Sequence, residues 1–471
     1  MNGAIGPSAA SGRSCSLFDL PVAKYDSAAL DRLADAMAAA TLPASRIPSG
    51  YVYLGQFIAH DLSRLDPDQG AVSRVDELRQ LRTPVLNLEN IYGQGLDDPA
   101  IALNTSTGYM EIGRTLDGSQ VTGTLDDLPR GAQSKALIPD DRDDENLLIA
   151  QLHVAFLKLH NFFCDRFRQQ GVRDPQELFH AARRQLILHY QEAVLDDFLS
   201  VFIDTATWTH VVLDRQLHLW DVLRDAPARM PIEFATAAFR SGHSMVRKHY
   251  TLNSRLPLLD LPTLFALTGH GAMGGTHRAL PSSHVVDWRL FFPFDAHREH
   301  RFMNFGMRID PAVSIKAPPD FGSLVAKSLR TGARCLLPNA QSIVEYLRRE
   351  HPALGIEPLT PDQLNPEVHV IEGSTVRKAQ LLQLAENVDA FASDTPLAYY
   401  VLAEAHARCE GLRLGPLASR IVAEVIYAAA FTCTPSIMFE LRDERFVQAT
   451  GHVSGHGRRH LRMSDLLRAV A

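Results

Sequence analysis

From Leu147 to His160 the chain reads Leu-Leu-Ile-Ala-Gln-Leu-His-Val-Ala-Phe-Leu-Lys-Leu-His, the heart of an apolar pattern with few breakers that runs over 146–169. A run of that length is too long for a strand and has too little polar surface to face water, so it predicts a buried helix around which other helices pack. The stretch 175–199 continues in the same style, and helical periodicity recurs over 27–40, 231–246, 320–329, 340–350, 376–391, 396–407 and 417–431. Strand-like segments are few and short, 121–125 being one. A Gly-rich loop over 269–283 interrupts the helices without opening a second domain. The expectation is a mainly α protein with very few short strands. A single large helical domain spans 45–471, after an Ala-, Ser- and Pro-rich N-terminal segment, 1–44, that wraps the surface and holds one helix.

With 471 residues, 46% hydrophobic and 21% charged, the chain is long enough to bury a large core. A formal net charge of −7 offers no basic field for nucleic acid or an anionic membrane. No uncharged run approaches the roughly 18 residues of a membrane span. The first residues lack the basic start and apolar core of a secretory signal. The five cysteines are odd in number and show no metal-type pairing, which fits a reducing cytoplasm.

Chemistry concentrates in Tyr53-Leu54-Gly55-Gln56-Phe57-Ile58-Ala59-His60-Asp61-Leu62. On a helix, Gln56 and His60 stand four apart and aim into one space. A neutral imidazole there takes a proton and hands it back, and the carboxamide orders a small polar ligand, water or a halide beside it. An isolated histidine on an apolar helix is more often a satisfied core residue, so His60 needs company. Two further blocks provide it. One is Asp140-Asp141-Arg142-Asp143-Asp144-Glu145-Asn146, followed by His153 and the pair His160-Asn161; the other is Ala238-Phe239-Arg240-Ser241-Gly242-His243-Ser244. Taken alone, Arg142 would simply pair with its acidic neighbours, and His153 and His160 read as hydrogen-bonded core residues.

In this order and spacing the three blocks resemble the distal helix, the distal arginine segment and the proximal helix of the animal-type haem peroxidases, the superfamily that includes the cyclooxygenases. Ser328-Leu329-Arg330-Thr331-Gly332-Ala333-Arg334 is similar to the segment after the proximal helix, and the run from Thr395 to Glu424 looks like the bacterial branch. The resemblance covers roughly residues 45–470. It implies haem b with His243 as axial ligand, Gly242 admitting the flat macrocycle and Arg240 pairing with a propionate. It also implies His60, Arg142 and Gln56 as the catalytic set. Hydrogen peroxide and a small-molecule reductant or halide are the partners, and a ferryl intermediate carries the oxidation. The oligomeric state is left open.

The departures carry expectations of their own. Many mammalian members tie the haem through an aspartate before the distal histidine, where this chain has Ala59, and through a glutamate, where it has Glu145. The haem is therefore noncovalent or held by at most one ester through Glu145. The asparagine that accepts from the proximal imidazole is replaced by Ser328, and the arginine three residues on by Thr331, so Arg330 or Arg334 reaches the propionate instead. The family's calcium loop is matched by Asp61, Thr83, the Val85 carbonyl, Asn87 and Glu89, all hard oxygen donors suited to Ca²⁺; the bland alternative is a hydrogen-bonded turn. Cyclooxygenase-type relatives carry a radical-forming tyrosine three residues before the proximal histidine. Arg240 stands there, which weighs against a fatty-acid dioxygenase or peroxygenase. A non-catalytic haem sensor or scaffold is the rival outside enzymes, and the retention of Gln56, His60 and Arg142 argues against it.

Overall fold

The apolar run forms a helix over Leu147–Gln169. The Asn146 side chain starts it by accepting from the Ile149 N–H at 3.0 Å, and Arg166 and Arg168 lie in its last turn. The cap satisfies an otherwise orphaned donor, and the arginines face the negative end of the helix dipole. By length and composition this helix is apolar enough to cross a membrane, but 83% of its most apolar window is buried inside the protein, which marks it as a core helix. Leu148, Ile149, Leu152, Phe156 and Leu159 are fully enclosed. Each such side chain contributes about 1.5–3 kcal/mol by leaving water.

The computed structural model describes residues 12–41, 44–225, 229–269, 279–294, 303–313, 324–372, 375–386, 388–440, 442–443, 446, 452–453 and 459–470. Most of the expected 269–283 loop lies outside them. Within them the protein is mainly α, with short strands scattered in small sheets. Helix Gly50–Leu62 packs on the central helix through Phe57, which stacks on Phe156 at 4.4 Å, while Tyr190 stands edge-on to both rings. Tyr190 belongs to helix Pro175–Glu192, which runs on as a π-helical stretch, Ala193–Phe198, and then Leu199–Phe202. Helices Leu397–Cys409 and Pro416–Phe431 complete the core. From residue 12 the N-terminal segment is woven into this body. Strand Gly12–Cys15 lies between Arg79–Gln80 and Arg229–Pro231, and helix Ser27–Ala39 buries Leu30, Leu33 and Met37 against helix Leu324–Arg334.

Three expected elements come out differently. The 376–391 helix is replaced by a hairpin, Glu367–Glu372 with Thr375–Gln380, in which Val368 faces Ala379 and Ile371 faces Val376, followed by short helices Leu381–Leu384 and Val388–Ser393. Val368 and Val370 are buried while His369 between them is exposed. That period of two, in a β-branched run, outweighs the helical pattern that starts later. The 121–125 strand does not form: Gly123 N–H donates to Thr115 O and Thr115 N–H to Thr124 O, closing a local turn that leaves Val121 and Leu125 exposed without a partner strand. The 231–246 helix breaks at Ala237 into helix Ile232–Thr236 and a 3₁₀ run, Ala238–Met245. The Ser241 and Ser244 hydroxyls donate to the carbonyls three residues back, at 2.7 and 2.8 Å, and that reach favours the tighter winding.

Two buried acids fasten chain segments together. Glu233 accepts from the Ser16 hydroxyl and the Leu17 N–H, and Glu404 accepts from the Leu417 and Ala418 N–H groups at the start of helix Pro416–Phe431. Burial pushes both carboxyls up to about 7. A carboxyl that holds its proton more tightly when folded stabilises at low pH, and that stability is lost as pH rises through the folded value. The buried His160 and His189, which burial lowers to about 4, act oppositely, and only below the ordinary histidine value. Above about pH 6.5 the two glutamates are joined by buried Asp61, pushed up to about 8, and all three act in the same direction. The Tm is therefore expected to be lower at pH 8.5 than at pH 6.5, by roughly 2–5 °C, in a calorimetric scan; an equal or higher Tm at pH 8.5 would show these acids to be ionised in the fold.

Candidate functional site

Helix Gly50–Leu62, the turn Asp141–Asn146 and the 3₁₀ run Ala238–Met245 enclose a cavity of about 320 Å³. Its polar wall includes Gln56, His60, Arg142, Glu145, Arg240 and His243, and its apolar wall includes Phe198, Phe202, Phe239 and Phe265. Residues from three separated blocks of sequence thus meet at one space, which is of cofactor size. The π-helical stretch contributes by delivering Phe198 to the wall.

On one side of the cavity, His60 Nδ1 lies 2.6 Å from Asp143 Oδ1. Asp143 Oδ2 accepts in turn from His153 Nδ1 at 2.7 Å and Asn90 Nδ2 at 2.9 Å. Burial opposes ionisation of Asp143, but the hydrogen bonds from His153 and His60 hold its carboxyl below the usual range. Neither Asp143 nor Asn90 was singled out in the sequence. In that acidic run Asp143 looks like any neighbour of Arg142, and nothing local ties it to a histidine 83 residues earlier.

Arg142 lines the cavity, but most of its donors are engaged elsewhere. Its Nε and Nη2 reach the two oxygens of Asp140 at 2.9 and 2.7 Å, Nη1 donates to Ser63 O at 3.0 Å and Nη2 to His60 O at 3.1 Å. It clamps the C-terminal end of the His60 helix and leaves one Nη1 hydrogen for the cavity. Gln56 is similarly engaged, its Nε2 donating to the Glu145 carboxylate and its Oε1 accepting from Asn146 Nδ2 at 3.3 Å. Glu145 and Ala59 both line the cavity, so a carboxylate is present at the first of these positions and missing at the second.

Opposite, His243 Nδ1 lies 3.3 Å from Ser328 Oγ, whose own hydrogen goes to Leu324 O at 3.0 Å. With that hydroxyl hydrogen spent, Ser328 accepts from Nδ1–H, and the lone pair of His243 is left on Nε2. Burial, helped by Arg240 and Lys327, lowers His243 to about 4, so the ring is neutral as a metal ligand must be. Arg240 anchors its Nε on Ala235 O at 3.0 Å and faces the cavity with no carboxylate partner among the described residues. Burial, with Arg142 and Arg334 nearby, lowers its affinity for its proton. A Cβ at Gly242 would meet nothing within 4 Å. A neutral imidazole with a free nitrogen and an uncompensated guanidinium in the wall of one cavity fit haem, whose iron His243 would hold and whose propionate Arg240 would meet. Arg330 does not take part: it pairs with Asp31 at 2.6 Å, and Lys327 lines the cavity from the same helix.

The residues matched to the calcium loop gather in one turn, where protein donors already meet several of their oxygens. Glu89 N–H is shared by Asp61 Oδ1 at 2.7 Å and Asn87 Oδ1 at 3.0 Å, and the Val85 carbonyl accepts from Asn87 N–H. The Glu89 carboxylate takes the Thr83 N–H and hydroxyl and faces Arg82, which also binds Asp140 at 2.8 Å. Burial pushes Asp61 up to about 8, so it keeps its proton near neutral pH. Among the described residues no group of three or more acidic, histidine or cysteine ligands is placed to hold a metal. Arg82 brings positive charge to these carboxylates, and the loop closes as a hydrogen-bonded turn. Thermal melts in millimolar calcium and in EGTA are expected to coincide; a filled site would raise stability by roughly 2.7 kcal/mol at a hundredfold excess over Kd, and a calcium-dependent Tm would reinstate it.

Residues 57–258 match the family model for animal haem peroxidase. No curated protein matches the chain in sequence. Among solved structures it resembles peroxidase A from Dictyostelium discoideum, at 14% identity and a TM-score of 0.54, covering 98% of this chain and 92% of that one. It also resembles the Oryza sativa fatty acid alpha-dioxygenase (14% identity, TM-score 0.59, 87% and 73% of the two chains). The Arabidopsis thaliana fatty acid alpha-dioxygenase is similar too, at 13% identity and a TM-score of 0.57 over 84% and 68%. At such identities the likeness carries the fold.

Proposed function

We propose that the chain, whose residues 57–258 match the animal haem peroxidase family, is a haem-dependent peroxidase that spends hydrogen peroxide on a small organic reductant or a halide. The observation that carries the reading is the pair of imidazoles across the cavity, each held by its Nδ1 so that Nε2 is the nitrogen left over. His243 would hold the haem iron and Arg240 a propionate. When bound, the haem would supply a redox centre for the oxidising equivalents of peroxide. His60 Nε2 removes the first proton of the peroxide and returns it to the outer oxygen, which leaves as water. Arg142 keeps the end of the His60 helix in place and offers its remaining N–H to charge building on that oxygen. The phenylalanines keep bulk water from the reacting atoms. Five free cysteines support a reducing compartment.

The second reading is a fatty-acid dioxygenase, favoured by the likeness to the rice and Arabidopsis enzymes and by Tyr51 and Tyr53 in the cavity wall. Arg240, in the place of the radical-forming tyrosine, weighs against it. The deciding experiment is the absorption spectrum of the haem-loaded protein before and after one equivalent of peroxide, then with a phenolic donor or a fatty acid. A Soret band that shifts at once and is restored by the phenol supports the peroxidase. Consumption of oxygen with a fatty acid supports the dioxygenase, and an indifferent Soret band supports a sensor or scaffold. Failure to bind haem overturns all three.

A further inference from the structure

Three donors converge on the carboxylate of Asp143: His60 Nδ1 on one oxygen, His153 Nδ1 and Asn90 Nδ2 on the other, at 2.6 to 2.9 Å. Asp143 is wholly buried, so no solvent competes for it. An ionised carboxylate only accepts, so both imidazoles must present Nδ1–H to it. The opposite tautomer of His60 would set a lone pair against an anion at that distance. The two rings then differ in their far nitrogens. His153 Nε2 is buried with no hydrogen-bond partner among the described residues, so a proton there would be an unsatisfied donor in a dry interior. His60 lines the cavity. Of the two imidazoles that share the anion, only His60 has somewhere to take a proton from. The other charges around it largely offset one another: Arg142 reaches His60 through its backbone carbonyl and is itself paired with Asp140, which also binds Arg82 and Arg64.

We propose that Asp143 is the positioning residue of the distal base, locking His60 in the tautomer whose Nε2 accepts and supplying the negative charge that stabilises the imidazolium once the proton has moved. This rests on the reading of His60 as the base of a haem site. The Asp143–His60 pair then does for proton abstraction what a buried aspartate does for the histidine of a serine-hydrolase triad. The same short turn carries Arg142, Asp143 and Glu145, so one loop sets both the clamp on the helix and the orientation of the ring at its end.

Cyanide binding to the ferric, haem-loaded protein tests this without peroxide turnover, because hydrogen cyanide must give its proton to a nearby base in order to bind as the anion. His60→Ala is expected to slow cyanide association about 100-fold. Asp143→Asn, nearly isosteric, is expected to slow it on the order of tenfold or more with the Soret band intact, and to add little on the His60→Ala background, since the two act as a unit. A wild-type rate in Asp143→Asn, or effects that simply multiply, would overturn the proposal. Should Asp143→Asn fail to fold, nitrogen-15 NMR of the histidine-labelled wild-type protein decides: a strongly downfield Nδ1 proton on His60, absent in His60→Ala, supports the lock, and an Nε2–H tautomer refutes it. If the wild-type protein takes up no haem, the peroxidase reading fails, and the tautomer measurement still judges the role of Asp143.

Discussion

Replacing His243 with alanine is expected to cost more than 100-fold in haem affinity, exceeding the roughly 10–100-fold typical when only an outer partner of a metal ligand is lost. His243 combines features that the rest of the cavity does not duplicate. Its ring is neutral because burial, Arg240 and Lys327 all oppose a proton. Its Nδ1 is tied to Ser328, whose own hydrogen is held by Leu324, so the ring cannot turn the wrong nitrogen to the cavity without breaking its bond to Ser328. Titration of the variant with haem, followed by the Soret band, measures the loss. Added imidazole, filling the space left by the ring, is expected to restore part of the band, whereas a variant that had merely unfolded would not respond. A His243→Ala protein that binds haem like the wild type would remove the axial assignment.

Replacing His60 with alanine is expected to leave haem bound and to slow the reaction with hydrogen peroxide by about 10²–10⁴-fold, the usual share of a positioned general base. Stopped-flow mixing with peroxide at several concentrations gives the second-order rate constant directly. The small size of the change matters, because His60 contributes no backbone strain and its removal leaves Arg142 still holding the carbonyls at residues 60 and 63. An unchanged rate would mean that another group, or water, moves the proton. Arg142 is then the residue to examine, although the bonds it makes to Asp140 leave it little freedom to follow a proton.

Parts of this site were legible in short stretches of sequence. His243 with Arg240, and His60 with Gln56, reach the cavity because each pair sits on a single turn or helix, where spacing alone sets direction. The Ser328 bond to His243 was likewise expected, and it forms. The role of Arg142 was not legible in the same way. A guanidinium one residue from Asp141 and two from Asp140 has several partners within reach, and only the folded backbone decides that it clamps His60 and Ser63. The calcium loop shows the same limit from the other side: its five donors are present and close, yet Arg82 and main-chain N–H groups meet several of their oxygens, which spacing alone does not reveal.

By itself the sequence determined the mainly helical fold, the identity of the central helix and the two histidines that line one cavity, because apolar periodicity and short spacing are properties of one element at a time. Tertiary structure decided the rest: that 367–380 forms a hairpin, that the chain before His243 winds as 3₁₀, and that Asp143 stands behind His60. Those outcomes turn on competition among donors and acceptors brought together from distant parts of the chain. In a dry interior a buried polar group pairs only where the packing puts a partner within 3 Å or so.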